Sequence, residues 1–283
     1  MMKPLLLFCV AIGWMAVQPA STARTLYDFN EVSQMADFNS TGGTTWSWGA
    51  NAGIGSTGGV AANNGGGAST LVLKNGFAGD VSFTLSISFQ WVTAVSGAGH
   101  GAFIGFGPSA TYAPFYGGGG SSPSVEQNQV YFGIGRVAAG DTIRIVGNSV
   151  AGGVSENFQG PSEQNVTLTS GEWYQLSGDV TYSSEEKRYT VAVTLYSFGG
   201  EGGSPMAIST HTFTTPESQD MSALAGDEVH AFFGTAANSI YRGVSAIDNF
   251  SVPAPIPEPA TLGLLGAGVV LFGSARWLRR RKR

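Results

Sequence analysis

Three histidines, a single cysteine and two adjacent acidic pairs are the residues of this 283-residue chain whose types could do covalent or acid–base chemistry. A hydrolytic serine needs a base within hydrogen-bond reach, an acid to orient that base, and commonly a glycine-flanked elbow that exposes the nucleophile. His100, His211 and His230 stand in no such setting. His100, between Gly99 and Gly101, reads as a loop residue, while His211 and His230 fall on strand faces where a hydrogen-bonded or exposed imidazole is ordinary. Cys9 sits inside an N-terminal apolar run, which leaves the remainder without a cysteine nucleophile, an intramolecular disulfide or a cysteine metal site. Neighbouring residues on a strand point to opposite faces. Glu185–Glu186, beside Lys187–Arg188, therefore reads as a solvated charged turn, and Asp227–Glu228 reads the same way. Binding offers more candidates, because sugar recognition uses aromatic platforms with a few amides or carboxylates around them. Trp46 and Trp48 stand in an early Gly/Asn/Thr-rich loop, and Tyr112, Phe115 and Tyr116 flank the run Gly117–Gly120. Each is expected to be a core residue or loop anchor before a ligand platform.

The two ends of the chain are addresses. Pro257-Glu258-Pro259 follows a proline-rich linker, 254–259, and precedes an apolar stretch from Ala260 to Leu278. About 19 residues of helix rise roughly 28 Å, close to the thickness of a bilayer's hydrocarbon. Gly263, Gly266, Gly268 and Gly273 are tolerated in membrane helices, and the basic tail 279–283 marks the cytoplasmic side. Directly behind an apolar span, such a run is a membrane stop signal rather than a nucleic-acid patch, so no nucleic-acid partner is expected. Met1–Lys3, the apolar core 4–17 and the small-x-small site Ser21-Thr22-Ala23 read as a signal peptide, 1–23, cleaved after Ala23, which discards Cys9. The tail resembles the PEP-CTERM sorting signal of bacterial surface proteins. That resemblance implies an exported protein whose tail is read and removed by exosortase, a membrane protease, with Pro257, Glu258 and Pro259 as the recognition residues. The alternative is a permanent single-pass anchor on an extended proline-rich linker.

Between the two ends, residues 24–253 are long enough for one β domain with a real core. Without Lys3, Arg276, the five basic residues of the tail and Glu258, seven basic residues face eighteen acidic ones, a net charge near −11 that disfavours polyanions. Strict alternation marks the strands. Val81, Phe83, Leu85, Ile87, Phe89 and Trp91 point one way and Ser82, Thr84, Ser86, Ser88 and Gln90 the other, predicting a strand buried on one face. Trp173–Tyr182 and Tyr189–Leu195 predict an antiparallel hairpin through the polar turn Ser183–Arg188. Further strands are expected near 25–29, 68–74, 101–107, 129–136, 142–146, 207–213, 229–235 and 245–252, with a turn around 216–225. The sum is an all-β antiparallel sandwich.

The block LTSGEWYQLSGDVTYSSEEKRYTVAVTLYSFG and the late VSAIDNFSV resemble the back half of the concanavalin A-like lectin and glucanase sandwich, a jelly roll of two curved sheets. The resemblance implies that Ala246–Val252 closes the domain beside the first strand. Laminarinase-type members carry their carboxylates as Glu-x-Asp-x-Glu on one strand face, the arrangement retaining hydrolysis needs, and this chain has no such spacing. A non-enzymatic protein is expected, binding extracellular polysaccharide or serving as a structural matrix component, with a glycoside hydrolase as the remaining alternative. Many jelly rolls hold calcium near the terminal strands, and Asp28 and Asp248 are the carboxylates that could approach one another there. The other reading of Asp248-Asn249 is a turn or the cap of an edge strand.

Overall fold

In the computed structural model, the described residues are 24–42, 46–62, 69–93, 100–110, 128–137, 141–200, 203–235 and 243–254. They form two antiparallel sheets packed face to face. From edge to edge the first sheet runs Met206–Thr214, Arg188–Ser197, Trp173–Ser183, Phe83–Trp91, Val244–Pro253, Gly59–Ala62 and Trp46–Gly49, with Arg24–Tyr27 also pairing on Val244–Pro253. The second runs Val154–Gln159, Thr142–Ala151, Gln129–Arg136, His100–Gly107, Glu228–Thr235, Ser69–Leu73 and Phe38–Gly42. Short strands Val166–Thr167 and Phe77–Ala78 extend the second sheet beside Thr142–Ala151 and Glu228–Thr235. Among the described residues helix is short: the longest stretch is a six-residue 3₁₀ segment, Val32–Asp37, and the one α-turn, Ser222–Ala225, lies inside the expected turn region.

Alternation explains why these segments are strands. Tyr174, Leu176 and Val180 and, across the hairpin, Tyr189, Val191, Val193 and Leu195 face the second sheet, whose Val130, Phe132 and Ile134 meet them. The predicted hairpin forms with Ser183 opposite Arg188, and Lys187 takes a positive φ of 54° in the turn. Contact between the sheets is close: a side chain at Gly178 would press into the Phe132 ring, 2.6 Å from Cε1. At one end of the sandwich Tyr27 and Phe250 of the first sheet meet Phe38 and Phe233 of the second, with Phe233 and Phe250 centroids 4.6 Å apart. At the other, Trp91 Nε1 donates to Asp141 Oδ1 at 2.9 Å, tying the ends of strands from both sheets.

The expected closure of the domain is present. Arg24 pairs with Pro253 and Tyr27 with Phe250, so the first and last strands lie side by side. Two expectations are corrected. Trp46 and Trp48 lie on a strand paired with Gly59–Ala62, because their inward faces reach the core: Trp46 packs edge-on against Phe233, and Trp48 Nε1 donates to the Phe29 carbonyl at 2.7 Å. And Phe83–Trp91 is buried on both faces at its centre, where Ser86 and Ser88 are 7% and 0% exposed. The segment Ala50–Gly58 explains part of this, since it folds over the outer side of the first sheet and bonds to Asp248, the neighbour of Ser88.

Candidate functional site

Asp248 is neither an edge-strand cap nor in a loop. It lies within Val244–Pro253, an interior strand, directly opposite Ser88, at a bulge where Asn249 takes a φ of 50°. Its carboxylate, 2% exposed, accepts the backbone N–H of Ile54 at 3.0 Å through Oδ2 and that of Asn249 at 2.7 Å through Oδ1. Burial pushes this carboxyl above its ordinary range. The two N–H donors pull the other way, and the nearby charge of Asp28 adds to the upward push. Burial pushes Asp28 upward, but hydrogen bonds from Gln34 and from Asn30 together outweigh it and hold the carboxyl below its usual range. The two aspartates do approach, as expected for a cation pair, but their oxygens are taken by internal donors. Among the described residues no group of three or more histidines, cysteines or carboxylates is arranged to hold a metal ion.

The latch made by Asp248 shapes a pocket. In the segment Ala50–Gly58, Gly53 N–H donates to the Thr57 carbonyl at 2.8 Å, and Thr57 Oγ1 donates to the Ile54 carbonyl at 2.8 Å. A Cβ at Gly53 would collide with the Gly58 carbonyl and stand 2.7 Å from Asp248 Oδ2, so only glycine fits there. The loop so held forms one wall of a pocket of about 260 Å³, lined by Asn51, Gly53, Ser56, Gln90, Trp173 and Ser245 among others. Its floor is a row across four strands, with Trp173 opposite Gln90, Gln90 opposite Ala246, and Ala246 opposite Ala61. Two alanines side by side recess the sheet surface between larger neighbours.

Gln90 is fixed at both ends of its amide. Nε2 donates to the Gly171 carbonyl at 3.0 Å, and Oε1 accepts from Ser245 Oγ at 2.8 Å. With its amide turned so that Nδ2 donates to the Ser56 and Ala50 carbonyls at 3.3 and 3.1 Å, Asn51 keeps Oδ1 as an acceptor. Among the described residues no charged side chain lines the pocket.

A second aromatic surface lies on the outer face of the other sheet, where Tyr131 and Phe232 flank Gly105 in one row and Phe103 sits in the next. Asn148, opposite Tyr131, donates to Ser155 and Asn157, while its Oδ1 and the nearby Gln129 Nε2 are buried without partners. Val72, Phe103, Tyr131 and Phe232 are at most 2% exposed, so this face is a closed cluster rather than an open platform.

The remaining sequence candidates disperse. His230 Nδ1 lies 3.2 Å from the Leu73 carbonyl, which can only accept, so Nδ1 carries the proton. His211 lies on Met206–Thr214 opposite Val193, its pKa lowered by burial. Glu186 pairs with Arg188 at 2.8 Å in the exposed turn, and Glu228 Oε1 accepts the Gly76 N–H at 3.0 Å. Ala23, Pro257, Glu258, Pro259, Tyr112, Phe115 and Tyr116 lie outside the described residues, as do the signal peptide 1–23, the span 260–278 and the basic tail. Among the described residues no helix is long and apolar enough to cross a membrane. Sequence reasoning missed the pocket because its parts come from four separated segments. The Gly53 turn and the polar end of Phe83–Trp91 were its only local signals.

The two-sheet architecture is similar to that of concanavalin A-like legume lectins. The basic winged bean lectin in complex with Tn-antigen superposes with a TM-score of 0.51 at 12% identity, covering 83% of this chain and 99% of the lectin. The seed lectin of Lotus tetragonolobus gives 0.49 at 14% identity, over 84% of this chain and 100% of the lectin. Tailspike protein 2 of the Escherichia coli O157:H7 bacteriophage CAB120 gives 0.43 at 14% identity, over 76% of this chain and 25% of the tailspike. No curated protein matches the chain in sequence. Residues 255–282 match the PEP-CTERM protein-sorting motif, beginning two residues after the last strand ends at Pro253. The chain thus carries a sorting signal of exported proteins, one that implies processing by exosortase, a membrane enzyme.

Proposed function

We propose that this is an exported surface or extracellular-matrix protein that acts by binding glycan rather than by catalysis, and that exosortase reads Pro257, Glu258 and Pro259 to release it. The observation that carries the proposal is the junction itself: a lectin-type sandwich whose closing strand leads straight into a sorting motif. A domain delivered in this way meets the polysaccharides of the envelope and matrix first. The basic winged bean lectin is described with Tn-antigen on a sandwich of this type. A binding role also agrees with the carboxylates. Glu185, Glu186, Asp227 and Glu228 converge on no shared face, so the paired acids of glycoside hydrolysis have no counterpart among them. The test is retention of the exported protein on the host's purified extracellular polysaccharide, with sugar release measured in the same samples. Retention without release supports the proposal. Release of reducing sugar would make the protein a hydrolase, and neither retention nor release would leave a structural matrix component.

A further inference from the structure

The geometry points to a ligand for the pocket on the outer face of the first sheet: we infer that it binds one neutral hexose-type sugar unit, gripped between Gln90 and Ser245 on the floor and Asn51 on the wall, with Trp173 beside it. The inference rests on the glycan-binding reading and assigns it a place. Size comes first. At about 260 Å³ the pocket is below the usual range for drug-sized ligands, which suits a single ring rather than an oligosaccharide groove.

Chemistry comes second. Sugar hydroxyls each donate and accept, so their pocket should offer fixed donors and acceptors together. The Gln90 amide, after its bonds to Gly171 and Ser245, retains one N–H and one acceptor lone pair. Ser245, which spends its hydrogen on Gln90, keeps its oxygen lone pairs, and Asn51 keeps Oδ1. Because Gln90 is held at both ends, its free positions are set before a ligand arrives, which lowers the ordering cost of binding. Ser56 adds a hydroxyl on the loop wall. Trp173, only 3% exposed, is part of the packed floor and bounds the pocket at one side. Among the described residues the lining holds no Asp, Glu, Lys, Arg or His, so a charged ligand finds no counter-charge from them. Asp248 lies behind Gly53, and each of its oxygens accepts a backbone N–H.

The experiment uses the exported protein, titrated by saturation-transfer NMR with the methyl glycosides of glucose, galactose, mannose and N-acetylglucosamine, and with glucuronate as the charged comparison. Gln90→Ala and Ser245→Ala should each weaken the best neutral ligand about three- to tenfold, the value of one fixed hydrogen bond. Ala61→Phe, which fills the floor, should abolish binding. Unchanged unfolding midpoints separate lost contacts from lost fold, and if Ala61→Phe is unstable the two polar variants decide. Neutral-sugar binding that survives all three substitutions overturns this site and leaves the glycan-binding reading standing. Preference for glucuronate overturns the neutral-ligand assignment. Failure of the unaltered protein to bind any of these sugars or its host polysaccharide overturns both.

Discussion

Replacing Asp248 with alanine is the sharpest test of how the pocket is held. The side chain is 2% exposed and supplies the acceptors for two backbone donors, Ile54 N–H at 3.0 Å and Asn249 N–H at 2.7 Å. An unsatisfied buried donor costs about 1–3 kcal/mol, and two are orphaned together. Against that, the variant is relieved of a carboxylate that burial disfavours. A net loss of about 2–4 kcal/mol is expected, with Asp248→Asn near half of that because one acceptor survives. Denaturant unfolding at neutral pH should show a lower midpoint at an unchanged slope.

The pH dependence adds a second, independent check. Because the folded pKa of Asp248 is raised, the folded protein holds a proton that the unfolded chain has released, and its contribution to stability falls as pH rises. The stability difference between the natural protein and Asp248→Ala should therefore be largest below about pH 3.9, the unfolded value, and shrink as pH passes through the raised folded value. Asp28→Asn removes one of the upward influences and should narrow that window. Equal stability of the natural protein and Asp248→Ala, or a difference that grows with pH, would refute the reasoning.

Three further outcomes are expected. Gly178→Ala forces the Phe132 ring aside at the contact between the sheets and should cost about 1–3 kcal/mol in denaturant unfolding, the range for overpacking a core. Glu258→Ala should leave export intact and block removal of the tail, read by intact mass as retention of Arg279–Arg283; normal processing of the variant would discharge Glu258 as a recognition residue. Added calcium or a chelator should leave Tm unchanged, because each oxygen of Asp28 and Asp248 already accepts a hydrogen bond from an internal donor, whereas a rise in Tm with calcium would place a cation between them.

What the sequence disclosed was what repeats at period two. The runs Phe83–Trp91 and Gln129–Arg136 and the hairpin across Ser183–Arg188 were legible because one face of each meets a core built by the other sheet. Phe38–Gly42, Trp46–Gly49 and Gly59–Ala62 were not, since they are short and glycine-rich and owe their strand geometry to partners far along the chain. The burial of Ser86 and Ser88 was invisible for a similar reason: alternation reports which face is polar but not what folds over it. The pair Asp28 and Asp248 was found through the expected meeting of the terminal strands. Its role was not, because hydrogen bonds from Ile54 and Gln34 depend on loops whose paths leave no periodic trace.

The last strand joins the two halves of the proposed function. Val244–Pro253 contributes Ser245 and Ala246 to the pocket, Asp248 to the latch that shapes it and Phe250 to the aromatic core, and ends at Pro253 beside Arg24. From Ala246 to Pro253 is seven residues, about 23 Å of extended chain. The sorting motif begins two residues beyond Pro253, and the pocket lies at the opposite end of the same strand; under the proposed function, a chain held by its tail would be held from the Pro253 end. A sugar site at the tethered end would face the anchoring surface. A site at the far end, as the proposed function has it, would be turned away from that surface while the tail is held.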